Sequence, residues 1–178
     1  MAEPIFTAPY AWANGYYMLA INLEQRSDEH SRAAIDTLLS YPQLDVWYLN
    51  REREPHEQPK VDASDSVRDH HFGVLTLPKG QKLPCGCYIF HLEHKPDWLE
   101  FFIPLASIDK IYPTGNFPFG PSQDYTDWQR EIDLALVGVA RHIYRHVPFP
   151  AGLIGFELDI DEMGKSIGTP LQSYALKI

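Results

Sequence analysis

Apolar and polar positions alternate through three successive runs between Phe72 and Ile108, and the rest of the chain can be placed against them. In the first run Phe72, Val74 and Thr76 fall on one face and Leu75 and Leu77 on the other, the two-residue period of a strand. Pro78-Lys79-Gly80 then supplies a fixed φ and a permissive residue in the order a tight turn uses them. In the second run Leu83, Cys85, Cys87 and Ile89 share a face, opposite Tyr88, Phe90 and Leu92. Polar residues from Glu93 to Asp97 reverse the chain. In the third run Leu99, Phe101 and Ile103 alternate with Trp98, Glu100 and Phe102. The pattern predicts a three-strand antiparallel meander. Apolar residues on both of its faces predict a sheet covered by helices on one side and partly covered on the other.

Upstream, residues 15–23 read as a buried strand. Ser27 or Asp28 caps a helix that runs to about Tyr41, with Ile35, Leu38 and Leu39 on its apolar stripe. Pro42 stops that helix, and residues 44–49 form another strand. Strand, helix and strand on short connections make a βαβ-like opening, whose two strands are expected to be parallel. Downstream, Thr126 with Gln129 makes a capping box for a long helix ending near Val147. Its stripe is Ile132, Leu136, Val139 and Ile143. Residues 153–160 are the final strand, with a closing strand at 174–178. The fold class is therefore α+β: a single-layer mixed sheet packed by two helices, in one globular domain spanning residues 1–178. Residues 1–14 form an N-terminal arm laid over it. Residues 50–69 form a polar surface loop, and 109–123 a loop rich in proline, glycine and aromatics.

At 178 residues the chain can bury one core, and 44% hydrophobic with 22% charged residues excludes wholesale disorder. A net charge of −9 argues against a nucleic-acid backbone or an anionic membrane as partner and allows a basic protein. No stretch approaches the roughly 20 apolar residues of a membrane span, and the N-terminus lacks the basic and apolar regions of a secretory signal. The two cysteines stand two apart in one strand, poorly placed for a relaxed disulfide. A reducing, cytoplasmic setting is the expectation.

Metal chemistry fares poorly on spacing. Cys85 and Cys87 are followed by His91 and His94, yet along a strand His91 would lie about 13 Å from Cys87, too far to share a zinc with bonds of ~2.0–2.3 Å. His142 and His146 have chelating spacing on a helix, but the second position of an H-E-x-x-H motif is Ile143, so the general base is missing. Positive charge at a helix C-terminus explains the pair better. Gly164-Lys165-Ser166 resembles the end of a phosphate loop, but Asp159 stands where that loop needs glycine. No cofactor and no metal site is expected.

Two surfaces remain as candidates for binding. The first is residues 112–120, where Tyr112, Phe117 and Phe119 sit among prolines and glycines beside Asp109, Asp124 and Asp127. Such aromatics either fold back as a lid or stand out as preorganised anchors with an acidic rim. The second is the acidic face of Glu157, Asp159 and Asp161 on the final strand, able to meet a hard cation or a basic partner. The sequence thus points to an acidic, cytoplasmic binding protein that recognises another protein. An inhibitor- or immunity-like role against a basic partner follows by analogy of composition. The alternative is a small hydrolase using carboxylates and histidines, with or without a divalent metal.

Overall fold

The computed structural model describes residues 7–61, 69–91, 93, 95–115, 117, 118 and 126–159, together with the backbone of a strand at 174–176. Seven strands make one sheet: β1 (Tyr16–Asn22), β2 (Leu44–Tyr48), β3 (His71–Thr76), β4 (Lys82–Phe90), β5 (Trp98–Pro104), β6 (Ala151–Phe156) and β7 (Tyr174–Leu176). The helices are α1 (Asp28–Leu39), the short α2 (Leu105–Asp109) and α3 (Asp127–Tyr144). The α+β single-layer architecture is as expected, and so is the meander β3–β4–β5.

The spatial order is β2-β3-β4-β5-β1-β6-β7, and every neighbouring pair is antiparallel. The βαβ-like opening is realised in a form the sequence did not specify. Antiparallel pairings separate β2 from β1 through β3, β4 and β5, so β1 and β2 do run parallel, but they are not neighbours. The reason is local. Short turns oblige β3, β4 and β5 to pair with one another, and both edges of β1 are taken by β5 and β6. The sheet is therefore antiparallel at each contact rather than mixed.

Side-chain alternation then divides the residues between two faces. Tyr17, Leu19 and Ile21 of β1 join Cys85, Cys87, Leu99, Phe101 and Ile103 beneath the apolar stripes of α1 and α3. Ser27 caps α1 by accepting from the His30 amide at 3.2 Å. Gln129 closes the box at the start of α3 by accepting from the Thr126 amide at 3.0 Å. The opposite face carries Met18, Tyr48, Phe72 and Phe102, over which the N-terminal arm lays Ala8, Ala11 and Trp12 in a 3-10 turn. Gly86 faces Phe102 across the β4–β5 pair, and a Cβ there would meet that ring at 2.3 Å. The ring occupies the place a side chain would take. Of the polar loop at 50–69, the described part is ordered by Gln58, whose side chain donates to the carbonyls of Asn50 and Arg53.

The two thiols are free and fully buried, and burial pushes both well above the usual thiol range. Phe101 is 1% exposed at the centre of the helix-covered face. Phe101→Ala should cost about 3–5 kcal/mol in chemical denaturation. A loss well under about 1 kcal/mol would contradict its place in the core.

Candidate functional site

Three separated segments meet at one end of the sheet and enclose a cleft of about 680 Å³. The first is the turn into β1. Asn14 and Gly15 both have positive φ, 67° and 79°, which lets the chain enter the strand from a sharp reversal. A Cβ on Gly15 would lie 2.6 Å from Glu157 Oε1 and 2.7 Å from the Phe156 ring, so only glycine leaves room there. The carbonyl of Gly15 accepts from the Leu105 amide at 2.9 Å, which ties the start of α2 to the start of β1.

The second wall is the loop after α2. Asp109 Oδ1 accepts from both the amide and the hydroxyl of Thr114, at 2.9 and 2.6 Å. These two bonds hold its carboxyl below the usual carboxylate range. Phe117 follows with its ring turned inward, edge-on to Trp128 at 5.1 Å and to Phe156 at 5.6 Å. Tyr112 is pinned as well, its hydroxyl donating to Glu131 on α3. The loop thus packs Tyr112 and Phe117 against the body rather than holding them out to solvent, and Phe117 serves as a wall of the cleft.

The third wall is the end of β6. Alternation predicts a strand over residues 153–160, but β6 stops at Phe156. Glu157 takes φ of +44°, its amide donates to the Tyr16 carbonyl at 3.0 Å, and its Oε1 accepts from the Tyr16 amide at 2.7 Å. This clamp turns the chain, so Phe156 and Leu158 pack on opposite faces of the sheet instead of sharing one. The acidic face therefore breaks after Glu157. Glu157 lines the cleft and Asp159 is exposed beyond it.

The structure thus unites members of both sequence candidates, Asp109 and Phe117 from one and Glu157 from the other. Asp127 is exposed in the first turn of α3, where its charge suits the helix dipole, and it does not line the cleft. Phe119, Asp124 and Asp161 lie outside the described residues. Sequence reasoning missed Asn14, Gly15 and Phe156. The one available signal was Asn-Gly ahead of an apolar run, a turn signature.

Of the histidines singled out on spacing, His94 lies outside the described residues, His146 packs edge-on against the His142 ring, and His142 and His91 have polar partners away from the cleft. His142 Nε2 lies 3.1 Å from the Thr37 carbonyl and 3.1 Å from Ser40 Oγ, joining α3 to the last turn of α1. His91 Nδ1 is 2.8 Å from Asp97 Oδ1, and Asp97, fully buried, also accepts from Ser31 Oγ at 3.1 Å. Among the described residues, no three His, Cys, Asp or Glu side chains are placed to hold a metal ion, and no helix is long and apolar enough to cross a membrane.

A second polar cluster lies on the arm-covered face. Glu100 is 4% exposed and accepts from the Tyr88 hydroxyl, while His70 stacks on the Tyr88 ring at 4.5 Å. Burial raises the Glu100 carboxyl above its ordinary range and the charge of Glu157 adds to the shift, against the lowering effect of the Tyr88 hydrogen bond. Comparison with known protein families, curated proteins and solved structures finds no match for this chain.

A raised folded-state value fixes the sign of the pH effect. The native state holds the Glu100 proton more tightly than the unfolded chain does. Its contribution is fully present below the unfolded carboxylate value and is lost as pH rises through the folded one. Glu100→Gln keeps an acceptor for Tyr88 and removes the ionisation. Thermal melts should match wild type near the acidic end of its range, and the variant should melt higher at neutral pH. A gap that does not change with pH would contradict this assignment.

Proposed function

We propose that the protein is an acidic binding protein that recognises a second, basic protein through the cleft between the β1 turn, the 109–118 loop and the end of β6. The observation that carries this reading is the composition of the cleft wall. Among the described residues lining it, the charged ones are Asp109 and Glu157, the aromatic ones are Phe117 and Phe156, and none is lysine, arginine or histidine. An aromatic floor with an acidic rim is the chemistry of an anchor site for a cationic group. Pinning each wall by hydrogen bonds from another segment lowers the ordering cost of binding. The net charge of −9 would speed encounter with a basic surface and oppose nucleic acid. An inhibitor-like role in a reducing, cytoplasmic compartment fits the same features, including the two buried free thiols.

The test is selection of a random peptide library on the immobilised protein, followed by affinity measurement on two variants. Selected peptides should be enriched in basic residues and bind less tightly as salt rises. Asp109→Asn with Glu157→Gln removes both charges, yet leaves an acceptor for Thr114 and for the Tyr16 amide, so the fold should hold while affinity falls about tenfold or more. Phe117→Ala should weaken binding and also cost stability, because the ring is part of the packing. Failure to select any binder, or binders indifferent to the charge variant, would reject a basic protein as the partner of this cleft.

A further inference from the structure

The walls of the cleft differ in kind, and the difference bears on what could fill it. Asp109 and Glu157 stand on separate elements, one at the end of α2 and the other just past β6. Each commits one carboxylate oxygen to its own chain, Asp109 Oδ1 to Thr114 and Glu157 Oε1 to the Tyr16 amide. That fixes the two carboxylates and leaves Asp109 Oδ2 and Glu157 Oε2 for an incoming donor. Phe117 and Phe156, ring centroids 5.6 Å apart and nearly perpendicular, supply apolar surface between these groups and the core.

We infer that this cleft takes an arginine side chain of the partner, its guanidinium paired with Asp109 and Glu157 and its stem laid on Phe117 and Phe156. The inference rests on the cleft being the recognition surface. Three arguments select the ligand class. Acceptors on two walls call for donors that diverge, and guanidinium presents five N–H groups in a rigid planar fork where ammonium is a compact point charge. Guanidinium is also the more weakly hydrated of the two and stacks on aromatic rings, so burying it beside Phe117 and Phe156 costs less. A bare divalent cation suits the site worse. Calcium or magnesium takes at least six oxygens, whereas the described residues of this wall offer two carboxylates that are already partly engaged. A cleft of about 680 Å³ is also in the size range of sites for organic groups, not for a single ion. The Thr114 hydrogen bonds keep Asp109 ionised below the usual carboxylate range, so the pairing would survive mild acidification on that wall.

The experiment is an NMR titration of the full chain with N-acetyl-arginine methylamide, its lysine counterpart and its citrulline counterpart, the last a neutral isostere of arginine. The amide signals of Gly15, Thr114 and Gly115 should shift saturably with the arginine compound, with half-saturation on the order of millimolar. The lysine compound should bind at least about fivefold more weakly, and citrulline should leave the signals in place. The Asp109→Asn, Glu157→Gln double variant should abolish the arginine response while its remaining spectrum stays native. Absence of the arginine response, an equal response to lysine or citrulline, or a response that survives in the double variant would overturn the inference. Library peptides that need the cleft but carry no arginine would also overturn it, and would leave the protein-binding reading standing. Arginine binding without any selected peptide would sustain the guanidinium site and reject the protein partner.

Discussion

Backbone pairing of β1 on both of its edges is the constraint from which the rest of the architecture follows. Tyr16–Asn22 is bonded to β5 along one side and to β6 along the other, and its five central residues are buried. A strand with both edges occupied and both faces covered must satisfy each amide and carbonyl through its neighbours. That brings the C-terminal part of the chain back beside the N-terminal part, since β6 follows β1 by more than a hundred residues. The same pairing sets the register of Gly15, Leu105 and Glu157 at one end of the sheet. The cleft is a direct consequence of that register: where the ladder ends, the chain on each side of β1 turns away, and the three departures leave space between them.

The two faces of the sheet carry their polar groups differently. On the helix-covered face the Tyr17 hydroxyl donates to Asp133 of α3 at 2.8 Å, and Asp97 gathers Ser31 of α1 and His91. The first joins β1 to α3 and the second joins the β4–β5 connection to α1, so they fix how the helices sit over the sheet, and each buried carboxylate is satisfied by a donor from elsewhere. On the other face Glu100 has the Tyr88 hydroxyl, a neutral donor from the adjacent strand. A hydroxyl offsets less of the cost of burying charge than a cation would, which is the physical reason its carboxyl is displaced upward. The cleft carboxylates are the third case. They are exposed, and each is held through one oxygen, Asp109 by Thr114 of its own loop and Glu157 by the amide of the distant Tyr16.

How much of this could be read beforehand differs by the range of the interaction. The faces of the meander were legible at each described position, because alternation is a local signal: Leu99, Phe101 and Ile103 lie under the helices and Phe102 lies on the far side, as their period requires. Capping at Ser27 and at Thr126 with Gln129 was legible for the same reason. The strand order was not, since nothing within residues 15–49 indicates that a meander some distance downstream will part β1 from β2. The end of β6 was misread because FELDID alternates well. The clamp of Glu157 on Tyr16, which overrides that alternation, depends on a strand more than a hundred residues away. Tyr112 and Phe117 carry the aromatic chemistry of their loop, but whether they pack inward is decided by Trp128 and Glu131 on the next helix and by Phe156 on β6, all outside the loop.

Backbone strain gathers at the end of the sheet where the cleft lies. Asn14, Gly15, Gly115 and Glu157 have positive φ and all line the cleft, whereas among the described residues the only others with positive φ are Glu24 and Gly80. For Asn14 and Glu157 that conformation costs of order 1–3 kcal/mol each, and the clamp between Glu157 and Tyr16 is what holds the less favourable of the two in place. Replacing the left-handed Glu157 with a residue lacking any side-chain acceptor, such as alanine, would release the clamp and let β6 run on as a straight strand, as its alternating sequence favours. The turn at Glu157 therefore sets the shape of the cleft as well as its charge. A glycine there would relieve the strain but forfeit the 2.7 Å bond from the Tyr16 amide, so the side chain that strains the turn is also the one that fixes it.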